Sequence, residues 1–233
     1  MRTLPIFRRI VFRSIVLACL SAGCTAPEQS VRPGVNKEYQ TTPASEWVQR
    51  FESESREIFH ERQKILDATG VRENMVVADV GAGTGFFTEM FSQKVGMKGR
   101  VYAVDITPAF LEQIRKRASE QHLSNVTTIL CTERDSKLPA NSVDLAFVCD
   151  TYHHFEYPHS TLSSIRRALK RGGRLVVVDF DRIPGKSRQW VLDHVRVGKD
   201  VVRTEIEAAG FVFEDQPATP FLTENYVLRF KRG

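Results

Sequence analysis

The stretch Asp79-Val80-Gly81-Ala82-Gly83-Thr84-Gly85 decides how this chain is read. An apolar run over 75–80 leads into it, and a segment with helical periodicity, 85–95, leaves it. Glycine reaches left-handed backbone and carries no Cβ, so a turn built this way lets a ligand lie directly against the main chain. In open α/β sheets such turns sit at the carboxyl edge of the strands, where ligands bind.

Working outward, short apolar runs predict strands over 75–80, 100–105, 126–131, 143–149 and 174–180, alternating with helices over 85–95, 108–121, 159–170 and 188–209. Thr107-Pro108 opens the second of these helices, Gly172-Gly173 closes the third and Gly210 the fourth. Segments 211–213 and 226–230 read as a closing strand pair. The expected class is α/β: a doubly wound, mostly parallel seven-stranded sheet with an antiparallel C-terminal strand and helices on both faces. Ahead of the sheet, Trp47, Phe51, Ile58, Phe59, Ile65 and Leu66 recur at helical offsets. They predict a packing helix whose aromatic residues serve as core contacts, in a position where a helix could also close over a cofactor.

The net charge of +5 belongs to the N-terminus. Arg2, Arg8, Arg9 and Arg13 precede Cys24, and no acidic residue occurs before Glu28. Without those four arginines the charge is about +1, which leaves no basic stripe for nucleic acid. Residues 1–23 have the three-part layout of a secretory signal, with an apolar run from Ser14 to Leu20 that is short for a membrane span. Leu20-Ser21-Ala22-Gly23-Cys24 resembles the lipobox of bacterial lipoproteins, and Arg8-Arg9 a twin-arginine export signal. The expected organisation is a signal at 1–23, a Pro- and Gly-bearing tether at 24–43 and one domain at 44–233, exported to the periplasm or held at the membrane through a lipid on Cys24. Cys131 and Cys149 fall on strands that are not neighbours in the expected sheet, so two free thiols are predicted.

A dinucleotide fingerprint places its third glycine where Phe86 stands, which counts against a nicotinamide-dependent oxidoreductase. The G-x-G-x-G spacing instead resembles motif I of class I S-adenosylmethionine-dependent methyltransferases, and the resemblance covers about 75–180 well. Leu138 to Asp144 is similar to that family's approach to its fourth strand, and Leu169 to Leu175 to the turn before its fifth. The resemblance implies that Gly81, Ala82, Gly83 and Gly85 wrap the methionine portion of S-adenosylmethionine, and that Asp79 organises the loop and the amino group. Asp105, which closes the second strand twenty positions after Gly85, is placed to accept hydrogen bonds from both ribose hydroxyls, with Ile106 beside it. The adenine contact falls in 132–135, where either Glu133 or Asp135 is the candidate, and Asp150 completes the set.

Asp150-Thr151-Tyr152-His153-His154-Phe155 follows the fourth strand, facing the transferred methyl group in this kind of fold. His153 or His154 could take a proton from the acceptor, or the loop could pack against the cofactor without proton chemistry. Adjacent histidines are expected to point apart, and no metal-ligand spacing accompanies Asp150, Glu156 or His159, so no metal site is expected. Trp190, His194 and Arg196 form either an acceptor pocket or part of an ordinary amphipathic helix. The expected function is methyl transfer from S-adenosylmethionine to a small-molecule acceptor. Because an exported domain stands apart from the cytoplasm where that cofactor is made, the alternative is an exported binding or accessory protein that keeps the fold without turnover.

Overall fold

The structure is a computed structural model that describes residues 27–233. The expected signal at 1–23 and Cys24 lie outside the described residues. Seven strands, β1 (Val76–Val80), β2 (Arg100–Asp105), β3 (Val126–Leu130), β4 (Val143–Cys149), β5 (Leu169–Phe180), β6 (Phe211–Asp215) and β7 (Asn225–Arg232), form one sheet in the order β3-β2-β1-β4-β5-β7-β6. All pairs are parallel except those of β7, which runs antiparallel to β5 and β6. The central strands are apolar almost throughout because helices cover both faces: Val77, Leu145, Val176 and Val178 pack to one side, and Ala78, Ala146, Leu175 and Val177 to the other. The expected fold class is therefore the observed one.

Helices α5 (Phe86–Val95), α6 (Pro108–Glu120), α7 (Pro158–Ala168) and α9 (Lys199–Ala208) connect the strands. Two boundaries differ from the sequence reading. Gly172-Gly173 does not end α7; the helix stops at Ala168 because Leu169 is fully buried and already pairs with Val143, and the glycines lie in a bulged stretch of β5 before pairing resumes at Leu145 and Arg174. The single helix expected over 188–209 is two, α8 (Gln189–His194) and α9, since Val195 turns extended to bury itself against Phe180 and Val191.

The N-terminal helical region is also segmented, into α2 (Ala44–Phe51), α3 (Glu57–His60) and α4 (Arg62–Thr69). The part of the expected tether that is described, 27–43, is not a free spacer. It carries α1 (Lys37–Thr41) and is strapped across the carboxyl edge of the sheet. The Glu28 carboxylate accepts the His159 and Ser160 backbone N–H groups at 2.9 and 2.8 Å, capping the first turn of α7. Glu156 accepts from Ser30 Oγ at 3.1 Å and from the Gly34 N–H at 3.0 Å. Proline and low apolar content marked this segment as a linker; polar anchors, which leave no hydrophobic period, hold it in place.

Candidate cofactor and acceptor site

The carboxyl ends of β1, β2, β4 and β5 surround a cavity of about 470 Å³, closed from above by Asn36 and Tyr39 of the strap and Trp47 and Phe51 of α2. That volume is within the range of roughly 300–1,000 Å³ typical of small-molecule sites. The glycine turn forms its floor. Gly81 holds φ +75°, and a Cβ there would lie 2.2 Å from Thr151 Cγ2. Gly85 also has a left-handed φ, but a Cβ on it would strike Ile114 of α6 at 2.5 Å. Gly85 does not line the cavity; it lies where α6 packs against the turn.

Asp79, Ala82, Gly83, Asp105, Ile106, Glu133 and Asp150 line the cavity together with Gly81. Asp105 braces the turn: its carboxylate accepts the Gly83 N–H at 2.9 Å and the Thr107 N–H at 2.8 Å. Asp79 accepts from Thr88 Oγ1 at 2.6 Å. Asp150 is bound on both oxygens, to Arg56 at 2.5 Å and to Asn225 Nδ2 at 2.7 Å, so its carboxylate anchors α3's approach and β7 beneath the cavity. Asp135, the other candidate of this loop, faces outward to Arg167 and Lys137 and does not line the cavity, whereas Glu133 does.

Burial sets the electrostatics. It raises the Asp79 carboxyl to about 7, against the Thr88 hydrogen bond that pulls it down and with the neighbouring Asp105 charge pushing further up. Asp105 rises to about 6 by burial, opposed by the N–H groups of Gly83 and Thr107. Asp150 likewise rises to about 6 by burial, with Arg56 opposing. Carboxylates held this way favour a cationic ligand that would restore their ionised form.

The residues at the other end of the cavity are histidines. His153 Nδ1 lies 2.7 Å from Asp179 Oδ1, and its backbone N–H donates to Asp179 Oδ2 at 3.1 Å. The rings of His153 and His154 are 4.2 Å apart between centroids, and His194 stands 5.1 Å from each, so the adjacent histidines converge instead of pointing apart. The 3-10 turn Tyr152–His154 brings this about by curling both side chains over the end of β4. Burial and the charges of His153, His194 and Arg32 hold His154 down at about 2, and burial with the His153 and Arg32 charges holds His194 at about 4, so both rings are neutral near pH 7. Glu156 and His159 stand outside the histidine cluster: Glu156 lines the cavity but binds the strap, and His159 is exposed.

Trp190 and His194 line the cavity and stack on each other at 4.7 Å, whereas Arg196 turns away to pair with Glu205. Trp47 and Phe51 are wall residues as well as packing contacts: Trp47 stacks on Tyr39 at 4.5 Å, and Phe51 meets Phe110 at 6.3 Å. Three residues escaped the sequence reading. Tyr39 sat in the presumed tether, Arg56 in a break between helical segments, and Asp179 ended a strand. Asp179 alone left a signal, an acid closing the run Val176-Val177-Val178.

The family model described as a methyltransferase domain matches residues 78–177. A SAM-dependent methyltransferase from Aquifex aeolicus superposes with a TM-score of 0.72 at 25% identity, over 82% of this chain and all of that one. The fold is that of the class I methyltransferases. Within that fold the match spans the glycine turn, the Asp105 strand end and the histidine turn. Geranyl diphosphate C-methyltransferase from Streptomyces coelicolor, crystallised with S-adenosyl-L-homocysteine, shares the methyltransferase fold at a TM-score of 0.62 and 16% identity, covering 75% of this chain and 76% of its own. Among curated relatives, the ubiquinone/menaquinone biosynthesis C-methyltransferase UbiE of Idiomarina loihiensis is 30% identical over 129 residues, 55% of this chain and 51% of that protein. UbiE of Psychromonas ingrahamii is 31% identical over 116 residues, 49% and 46% of the two chains. The chain thus spans about half the length of the curated relatives it matches.

The cavity fits S-adenosylmethionine on its own evidence. Two buried polar atoms on the cavity wall, Thr84 Oγ1 and Trp47 Nε1, have no partner among the described residues. Donors and acceptors sealed away unpaired are rare in folded chains and point to a polar ligand.

Proposed function

We propose that this chain is a methyltransferase that uses S-adenosylmethionine and acts on a small-molecule acceptor. The observation that carries the reading is the acid-lined cradle: Gly81 and Gly83 offer bare backbone beside Asp79 and Asp105, two buried carboxyls whose ionisation a cationic ligand would favour. When bound, S-adenosylmethionine supplies a methyl group activated on a sulfonium. Asp79 and the turn would hold the amino end, Asp105 would accept from the ribose, and Glu133 would meet the adenine end. Tyr39, Trp47 and Phe51 exclude water from above, which suits a displacement that depends on alignment. Phe180, Trp190 and the histidines face the acceptor. Their aromatic walls, and the likeness to C-methyltransferases, support a planar apolar acceptor methylated on carbon. Calorimetric titration with S-adenosylmethionine, S-adenosylhomocysteine and NAD tests the proposal: micromolar binding of the first two alone supports it, and binding of none favours a non-catalytic descendant of the fold.

We also propose export, with lipid attachment at Cys24. Incorporation of labelled fatty acid that is lost in Cys24→Ser tests this, and its absence from the wild-type chain sinks the anchor.

A further inference from the structure

We propose that His153, His154 and His194 form a binding site for one zinc-class divalent cation at the acceptor end of the cavity. One ring nitrogen from each lies within 4.8 Å of those of the other two, and all three residues line the cavity. Zinc bonds imidazole nitrogens at about 2.0–2.1 Å in a tetrahedron, which separates ligand atoms by about 3.3 Å. His154 Nε2 and His194 Nε2 already stand 3.3 Å apart. His194 ends a six-residue helix and is half-exposed, so its ring has room to close the remaining separation to His153.

The surroundings are those of a metal ligand set. Asp179 occupies His153 Nδ1, fixing the proton there and leaving Nε2 as the free lone pair; a carboxylate behind a ligating histidine orients it and raises its basicity. Without a metal, His154 is poorly served. Its Nε2 is approached by both Tyr39 Oη at 3.2 Å and His194 Nε2 at 3.3 Å, while its buried Nδ1 has no partner among the described residues. One imidazole nitrogen cannot satisfy both neighbours through a single lone pair. Proton removal needs one imidazole; three converging on one point exceed that need. Arg32, whose charge is felt at His154 and His194, has its guanidinium engaged by the backbone carbonyls of Asp193 and His194. Three histidines leave the fourth tetrahedral position to water or to a group presented from the cavity, as open metal sites do. That last role rests on the methyl-transfer reading; metal binding does not.

The test is titration of the full-length, tag-free, chelator-stripped chain with Co²⁺, read by its visible spectrum. We expect one equivalent to bind with the intense bands of a tetrahedral nitrogen and oxygen site, and zinc to displace it. His194→Ala should abolish the tetrahedral spectrum and keep the thermal unfolding midpoint. Asp179→Asn should weaken binding by about 10–100-fold. Absence of binding, a weak six-coordinate spectrum indifferent to His194→Ala, or a thiolate charge-transfer band placing the ion on cysteine would each overturn the site. Because the readout is the metal spectrum, its failure is separable from a failure to bind S-adenosylmethionine.

Discussion

Asp179, at the end of β5, holds His153 at two points, the ring Nδ1 at 2.7 Å and the backbone N–H at 3.1 Å, with both residues almost wholly buried. The carboxylate therefore fixes which nitrogen carries the proton and which way the ring faces. Asp179→Asn keeps the volume but ends that control. On the reading of His153 as the residue that takes the acceptor's proton, turnover is expected to fall by about 100-fold or more, the range in which positioned proton-transfer groups contribute, with S-adenosylmethionine affinity unchanged. Kinetics paired with calorimetry check the split; a loss confined to KM for the cofactor would count against the role.

Asp105 carries two loads, the expected ribose contact and the brace on Gly83. Asp105→Ala should weaken S-adenosylmethionine binding by about 1.5–3 kcal/mol, as for a hydrogen bond to a charged group. Unchanged affinity in a folded variant would remove the ribose assignment.

The raised carboxyls give the ligand-free chain a defined pH response. Asp79 and Asp105 titrate near 7 and 6 in the folded state against 3.8 as the ordinary value, so the folded chain binds more protons over that window. Their contribution to stability is complete below about 4 and is lost as pH rises through 6 to 7. Thermal unfolding of the ligand-free protein should shift to lower temperature between pH 5.5 and pH 8 in the portion due to these groups, and Asp79→Asn should flatten that portion. Binding of S-adenosylmethionine near pH 6 should release protons, measurable as a dependence of binding heat on buffer ionisation.

At Gly81 a left-handed φ and a 2.2 Å clash with Thr151 act together. Gly81→Ala should destabilise the chain by more than about 1 kcal/mol and remove cofactor binding. Adding Thr151→Ala takes away the Cγ2 and Oγ1 atoms and should recover part of the stability. Denaturant unfolding of the single and double variants separates collision from backbone strain.

Glu156 ties down the strap through Ser30 and Gly34. Glu156→Ala should leave the sheet intact and open the strap, so that trypsin cuts sooner at Arg32 and Lys37 and cofactor binds more weakly. Unaltered cleavage rates would show that the other anchors, Glu28 on α7, Arg32 on Asp193 and His194, and Asn36 on the His154 carbonyl, hold the strap without Glu156.

The sequence alone determined the sheet, the glycine turn and the Asp105 strand end, because each rests on local chemistry: apolar runs at strand spacing, backbone that only glycine adopts readily, and a carboxylate at a fixed offset. It also brought out the histidine pair, though not its geometry. Only the tertiary structure decided that Gly85 serves packing, that Asp135 faces Arg167, and that Asp150 is held by Arg56 and Asn225. Those outcomes depend on partners between 29 and 94 residues away, and a local pattern carries no trace of them. The same holds for the strap and for His194, which joins His154 across 40 residues. Polar anchoring leaves no period in a sequence, so the segments that close this site became visible only when the chain was folded.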